Sequence, residues 1–178
     1  MNGYTPISSI PRDKAFYIVG FVDGEGSFNT SFRVRNDYLL GWKITPVFNI
    51  SQKERTILSL IKRYLKCGTI RVRKDGVWVY EVDNRNALHG TIIPFFKTFQ
   101  FLSQKKKKDF QRFQNIMKIL ETHKSTIYSD LEQILGFLDE IESKASRKYT
   151  NQDILARARE FWEKNRVKIE KLNSLSKL

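Results

Sequence analysis

The chain has 178 residues, of which 40% are hydrophobic, and its 32 Lys and Arg against 19 Asp and Glu leave a formal net charge of +13. The length favours one domain, the apolar content and the 13 Phe, 7 Tyr and 3 Trp exclude disorder, and no apolar run is long enough to span a membrane. The positive charge favours a polyanionic partner, nucleic acid in particular, over an ordinary basic surface. Cys67 is the only cysteine, which excludes an intrachain disulfide and suits a reducing intracellular compartment.

The first third of the chain predicts a helix, two strands and a second helix. Residues 1–12 contain one glycine and two prolines and are predicted to form a flexible arm without a signal-peptide pattern. The next residues favour a helix over 13–24, and alternating apolar and polar residues predict strands over 27–38 and 42–51. An amphipathic pattern predicts the second helix over 54–65.

A second pair of strands and several helices follow. Asp75-Gly76 is a strong signal for a two-residue hairpin between strands over 69–74 and 77–83. Helices are then predicted over four ranges: 89–96, 103–122, 130–143 and 151–172. This order predicts an α+β fold, in which one four-stranded antiparallel sheet carries helices on one face. Residues 13–149 form the predicted core, and a C-terminal helix over 150–178 is predicted to pack on it.

The four predicted strands share an unusual polar face. Half of its ten residues are Arg or Lys, whereas the usual explanation of such alternation is an ordinary solvated face. Arg suits guanine edges, Asn suits adenine, and a β-ribbon fits the major groove. With the net charge, the pattern predicts a face that binds double-stranded DNA, made of Asn29, Ser31, Arg33, Arg35, Lys43, Thr45, Asn49, Arg71, Arg73 and Glu81.

Two acids fall where the first helix is predicted to end, in the segment F-Y-I-V-G-F-V-D-G-E-G-S-F of residues 16–28. A helix C-terminus carries partial negative charge, so it disfavours Asp23 and Glu25 unless something compensates them. A divalent cation would do so, because hard cations take oxygen ligands. Solvated acids beside a glycine turn are the simpler interpretation of these residues taken alone.

Three glycines accompany the two acids. Gly20 and Gly24 lie four residues apart on one helix face, where they cost stability but let another backbone come close. Gly26 suits a left-handed residue that ends the helix. The segment is therefore interpreted as a helix with a bare face for a tight helix–helix contact.

Residues 18–26, I-V-G-F-V-D-G-E-G, resemble the nine-residue motif of the LAGLIDADG homing endonucleases. The third, sixth and ninth positions match, the first, second, fourth and fifth are apolar, and Glu replaces Asp at the eighth. The elements that follow the motif also fit the family's αββαββα plan, with extra C-terminal helices. The resemblance implies an intron-encoded, site-specific DNA endonuclease that hydrolyses phosphodiesters with Mg²⁺, for which Mn²⁺ or Ca²⁺ could substitute in binding.

The motif occurs once in the chain, and one acid is too few for phosphodiester cleavage with two metal ions. A homodimer is the economical solution, and the resemblance implies that single-motif members are homodimers that cut long, roughly palindromic sites. The interface would comprise Val19, Gly20, Asp23 and Gly24. No membrane partner is expected.

The resemblance also assigns roles to individual residues. Glu25 would be the direct metal ligand, the backbone carbonyl of Gly24 would add to it, and Asp23 would shape the helix end. Gln52 falls where the family often has a polar residue near the hydrolytic water. A lysine at the start of the long helix usually supports the transition-state charge, and Lys107 is the preferred match, with Lys105 as the alternative.

Two other functions stay open. A relative without catalysis could act as an intron RNA maturase or a DNA-binding regulator, although the retained Glu25 and Gln52 argue mildly against this. A structural DNA-binding protein without sequence preference would bind with a steep dependence on salt. The expected compartment is an organelle, either mitochondrion or chloroplast, or the cytoplasm of a prokaryote.

Overall fold

The helices and strands follow the predicted order. The computed structural model describes residues 7–123, 125–139 and 148–175, with side chains to residue 166. After a short 3-10 helix (Ile7–Ser9), the elements are α1 (Arg12–Glu25), β1 (Gly26–Val34), β2 (Trp42–Gln52), α2 (Arg55–Leu65), β3 (Thr69–Val72), β4 (Trp78–Val82), α3 (Arg85–Ala87), a π-helical turn (Leu88–Ile92), α4 (Ile93–Thr98), α5 (Gln104–Thr122), α6 (Tyr128–Asp139) and α7 (Asn151–Leu175). The predicted α+β class is confirmed.

The four strands form one sheet in the order β1-β2-β4-β3. β4 runs antiparallel to both of its neighbours, and Tyr80 in its centre lies opposite Ile50 of β2 and Ile70 of β3. Tyr80 and Ile50 are fully buried, as the alternating pattern predicted. The sheet therefore has the predicted apolar face, and the polar residues alternate onto the other one.

The described residues fall into two compact units: one up to residue 30 with residues 46–114, and one of residues 31–45 with the chain from 115 on. Phenylalanines dominate the core of the first unit. The ring of Phe28 lies between 5.2 and 5.9 Å from five others, those of Phe48, Phe96, Phe101, Phe110 and Phe113. Such stacked, edge-to-face and tilted pairs each add about 0.5–1.5 kcal/mol to the burial of the rings. This cluster fixes β1 against the helices α4 and α5.

The second unit has its own core, to which the last two helices contribute. Leu40, just before β2, and Trp42 and Ile44 at its start pack with the end of α5 and with buried residues of α6 and α7, among them Leu131 and Ile154. The indole N–H of Trp42 donates to the backbone carbonyl of Ile154 at 3.0 Å. The C-terminal helices are therefore built into a core with the β1–β2 connection.

Several local predictions differ from the structure. The hairpin turn contains three residues rather than two, because the Arg73 N–H bonds the Val77 carbonyl at 2.8 Å and Gly76 closes the turn with φ +80°. The helical segment near His89 is longer than predicted and includes the π-helical turn. Pro94 follows this turn and has no backbone N–H, so it cannot donate the α-helical hydrogen bond to the preceding turn. Residues 140–143 of the predicted helix lie outside the described residues.

The two ends of the first helix also differ in detail from the sequence interpretation. Of the predicted arm, residues 1–6 lie outside the described part, Ile7–Ser9 form the 3-10 turn, and Ile10 is buried. Gly26 was expected in a left-handed conformation but is extended, with φ −77° and ψ 154°. The prediction for Gly26 is wrong because the chain enters β1 directly, without a turn residue.

Candidate active site and nucleic-acid interface

The junction of α1 and β1 has no room for a side chain at Gly26. A β-carbon there would lie 2.4 Å from Cγ1 of Val22 and 2.9 Å from its carbonyl oxygen. Both distances are shorter than real contacts, so only glycine allows the helix to pass straight into the strand. The sharp junction leaves Glu25, the last residue of α1, exposed to solvent.

Asp23 is bound by the start of α5, although it belongs to α1. One carboxylate oxygen accepts from the backbone N–H groups of Leu102 at 3.1 Å and Ser103 at 3.0 Å, and the Ser103 hydroxyl donates to the other oxygen. Partial burial raises the pKa of Asp23, but the hydrogen bonds from Ser103 and Leu102 outweigh it and lower the pKa overall. The Asp23 carboxylate therefore lies at the C-terminus of α1, where negative charge is unfavourable, but also at the N-terminus of α5, where negative charge is favourable.

Lys106 is the lysine of the basic run that reaches the α1–β1 junction. Its ammonium donates to the carbonyl of Gly26, and the residue is only 8% exposed. Burial lowers the pKa of Lys106, against the attraction of the carboxylates of Asp109, Asp23 and Glu25. The Ser103 hydroxyl accepts from the Lys106 N–H at 3.2 Å, so one side chain connects this lysine with Asp23.

The two lysines expected from the sequence have other positions. Lys105 and Lys107 are exposed, and the ammonium that bonds at the α1–β1 junction is that of Lys106. Gln52 is the last residue of β2 and lies opposite Trp78 of β4. The Arg55 guanidinium lies 5.2 Å above the ring of Trp78. Within the described part of the chain, Gln52 forms no hydrogen bond with Glu25.

One face of α1 is open, and it carries both predicted glycines. No described atom lies within 4 Å of the position that a β-carbon would take at Gly20 or Gly24. Phe16 and Tyr17 on the same side are 52% and 54% exposed. Val19, expected in a dimer interface, is instead buried in the chain at 4% exposure. We call Phe16, Tyr17, Gly20 and Gly24 the α1 open face; Asp23, bound to Ser103, points to α5.

In the first unit, the polar face of the sheet is partly covered by its own ion pairs. The Arg71 guanidinium donates to the Glu81 carboxylate at 3.2 Å, and that of Arg73 donates to Asp75 in the hairpin turn. Alternation along β4 predicts that Val79 is exposed beside Glu81, yet Val79 is buried at 4% because it lies on a central strand between Ser51 and Arg71. The remaining predicted residues of this unit are Asn29 on β1, which is exposed, and Asn49 on β2, which is half-buried.

In the second unit, the predicted residues lie on the outer parts of β1 and β2 and on the loop between them. The Ser31 hydroxyl donates to the carbonyl of Thr45 at 3.3 Å. Arg35 forms a two-pronged ion pair with Asp37, with nitrogen–oxygen distances of 2.7 and 2.6 Å. The other two predicted residues are accessible to solvent: Arg33 and Lys43.

Metal-binding side chains do not cluster within the described residues of one chain. In residues 7–123, 125–139 and 148–175, no group of three or more His, Cys, Asp and Glu is placed to bind a metal ion. Glu25 offers an exposed carboxylate, whereas both oxygens of Asp23 already accept hydrogen bonds. No helix in the described ranges is long and apolar enough to cross a membrane.

The fold and the glycine–acid helix end define a family. Residues 18–117 match the LAGLIDADG endonuclease family, and this match starts at the first residue of the motif and covers more than half of the chain. The chain belongs to this family.

Individual relatives extend the similarity over most of the chain. Homing endonuclease I-ApeII of Aeropyrum pernix is 27% identical over 146 residues, which cover 78% of this chain and 86% of that protein. DNA endonuclease I-CeuI of Chlamydomonas moewusii is 29% identical over 133 residues, 71% of this chain and 60% of that protein.

Solved structures show the same fold. The archaeal intron-encoded homing endonuclease I-Vdi141I, solved in complex with DNA, has a TM-score of 0.72 at 30% identity and covers 84% of this chain and 97% of that one. Meganuclease I-SmaMI, bound to uncleavable DNA, has a TM-score of 0.68 at 27% identity, and the match covers 72% of this chain and 45% of that one.

Proposed function

We propose that this protein is an intron-encoded, site-specific DNA endonuclease that acts as a homodimer on a long, pseudo-palindromic target. The observation that carries the proposal is the exposed Glu25, which ends a helix whose open face lacks side chains at Gly20 and Gly24. The family membership and the DNA complexes of I-Vdi141I and I-SmaMI support the substrate class.

Glu25 and the backbone carbonyl of Gly24 are the groups that fit a divalent cation, with Mg²⁺ as the expected ion. Carboxylate and carbonyl oxygens suit a hard cation, and the Glu25 carboxylate is accessible, unlike that of Asp23. When bound, such a cation would polarise the scissile phosphate and lower the pKa of a bound water. Asp23 has the supporting role, since it fixes the end of α1 against α5.

Lys106 supplies positive charge beside this site. Its ammonium is held by the Gly26 carbonyl, one residue after Glu25, and its burial reduces screening by water. A fixed cation of this kind stabilises charge that develops on a phosphate during cleavage. We assign to Lys106 the role that the family resemblance implied for Lys107 or Lys105. Gln52 is proposed to orient the attacking water.

Two copies of the chain are needed to complete the reaction. One chain offers a single accessible carboxylate at the end of α1, and each strand of the target needs its own cleavage site. Packing of two α1 open faces about a two-fold axis would bring both Glu25 residues together. The match to 45% of the I-SmaMI chain agrees with a protein that corresponds to half of a larger one.

Target reading is assigned to the polar strand residues of both units. Arg71 and Arg73 pair with carboxylates that are themselves at least a quarter exposed, and exposed pairs of this kind contribute little stability. Both guanidinium groups can therefore exchange these partners for base edges or phosphates. The compartment is proposed to be an organelle or a prokaryotic cytoplasm.

The test compares Glu25→Gln with the wild type and with Glu132→Gln, a matched control on the exposed side of α6. A target is first enriched from a random duplex library by binding in Ca²⁺. In Mg²⁺, Glu25→Gln should bind this target with unchanged affinity but not cleave it, whereas Glu132→Gln should cleave normally. Cleavage by Glu25→Gln at the wild-type rate would contradict the site. A wild type that binds but never cuts would favour a regulator or maturase.

A further inference from the structure

The loop between β1 and β2, residues 35–41, has a closed and well-defined shape, and we call it the β1–β2 loop. Backbone hydrogen bonds join Arg35 N–H to the Gly41 carbonyl at 3.0 Å and Gly41 N–H to the Tyr38 carbonyl at 2.9 Å. The Arg35 guanidinium binds Asp37 and lies 5.6 Å above the Tyr38 ring. The loop therefore presents Arg35, half exposed, in one orientation.

Arg157 of α7 binds this loop through two hydrogen bonds. Its Nε donates to the Gly41 carbonyl at 3.1 Å, and a terminal nitrogen donates to the side-chain oxygen of Asn36 at 2.7 Å. The guanidinium also lies 4.6 Å from the centre of the Phe161 ring. The Gly41 carbonyl accepts from both Arg157 and the Arg35 backbone, so the two arginines share one acceptor.

The contact between α7 and the β1–β2 loop leaves no room for a side chain at Gly41. This residue has φ +70°, and a β-carbon there would lie 2.9 Å from the Phe161 ring and 3.0 Å from Nε of Arg157. Next to it, Trp42 donates to the backbone of Ile154, one helical turn before Arg157. A planar guanidinium can make both hydrogen bonds while its face rests on the ring, which an ammonium cannot do.

We propose that Arg157 is a positioning residue for DNA recognition, which fixes the β1–β2 loop so that Arg35 meets particular base pairs of the target. The proposal rests on the proposed function, since it requires that Arg35 reads DNA. It gives the C-terminal helix α7 a role in specificity beyond covering the core. Without Arg157 the loop loses two of the bonds that define its shape, and Arg35 no longer meets one base in a fixed geometry.

The experiment measures binding to the selected target and to all its single-base variants, in Ca²⁺. Arg35→Ala first identifies the base pairs that depend on this side chain. Arg157→Ala should reduce base preference about tenfold at those same base pairs and leave the preference elsewhere unchanged. Arg157→Lys should not restore it. Arg159→Ala removes an equal charge from an exposed position of the same helix and should leave the profile unchanged.

Uniform weakening across all targets by Arg157→Ala, or a change at base pairs that Arg35→Ala does not affect, would overturn the proposal. The combined Arg35→Ala and Arg157→Ala variant should lose no more preference than Arg35→Ala alone. If Arg157→Ala does not fold, Phe161→Leu replaces it in the test, because this variant keeps an apolar side chain but removes the ring face under the guanidinium. Phe161→Leu should give a smaller loss of preference at the same base pairs. An unchanged profile for Phe161→Leu refutes the positioning role of Arg157. A wild type without any base preference would instead refute the proposed function.

Discussion

Replacement of Gly20 by alanine should have opposite effects on the single chain and on the dimer. Gly20 lies inside α1, is exposed, and has no described atom within 4 Å of a β-carbon position. Alanine should therefore raise the free energy of unfolding of the single chain by about 1 kcal/mol, because glycine is a poor helix former. In a dimer formed through the α1 open face, the same methyl group would enter a closely packed contact.

The expected loss of dimer stability follows from the symmetry. Each added methyl group in a packed contact costs about 1–3 kcal/mol, and a two-fold dimer contains two of them. The dissociation constant should rise about thirtyfold or more. Sedimentation equilibrium gives this constant, and urea unfolding of dilute protein gives the stability of the single chain.

Gly136 provides the matched control. It lies inside α6, is exposed, and likewise has no described atom within 4 Å of a β-carbon position. Gly136→Ala should give the same gain of about 1 kcal/mol in helix stability and leave the dissociation constant unchanged. If Gly20→Ala dimerises as well as Gly136→Ala does, two α1 helices do not meet at Gly20 and the dimer geometry is wrong.

Two further substitutions test the α1–β1 junction. Gly26→Ala should lower the free energy of unfolding by about 1–3 kcal/mol in urea titrations, since its methyl group meets the backbone of Val22; a neutral result would mean that the junction is looser than the structure shows. Asp23→Asn should cost about 1–3 kcal/mol at pH 7 through the lost hydrogen bonds. Because the pKa of Asp23 is lowered, the contribution of its carboxylate is present above about pH 4 and disappears as the pH falls through the folded-state pKa. The difference between the wild type and Asp23→Asn in urea titrations should therefore shrink as the pH falls below about 4, and a difference that does not depend on pH would contradict this role.

Periodic sequence patterns predicted most of the fold, because they report directly which side of an element is buried. The alternation in β2 corresponds to buried side chains. So does the apolar stripe of α5, which consists of Phe110, Phe113, Met117 and Leu120. Patterns fail where burial depends on neighbours that are distant in sequence. Val79 is covered because it belongs to a central strand, which its own strand does not reveal. The hairpin signal at Gly76 fits turns of two or three residues, and hydrogen bonds to Arg73 and Val77 decide between them.

The candidate site, too, could be predicted from the sequence only in part. The motif itself indicated Glu25, and this residue is exposed at the end of α1 as a ligand would need to be. Which of the four adjacent lysines reaches the α1–β1 junction depends on the register of α5. Lys106 lies four residues before Phe110, so extending the apolar stripe backwards would have selected it. The bond from Ser103 to Asp23 had no sequence signal, because the two residues are 80 positions apart.

The support of the β1–β2 loop has a consequence for the order in which the protein folds. Arg157 follows its partner Gly41 by 116 residues in the chain. At about 5–20 residues per second, a ribosome needs roughly 6 to 23 s to make this interval. The nascent chain thus contains the complete glycine–acid motif and all four strands well before the residue that shapes the loop exists. We expect the loop to reach its final shape only after α7 has been synthesised, so that selective reading of DNA is among the last properties the protein acquires.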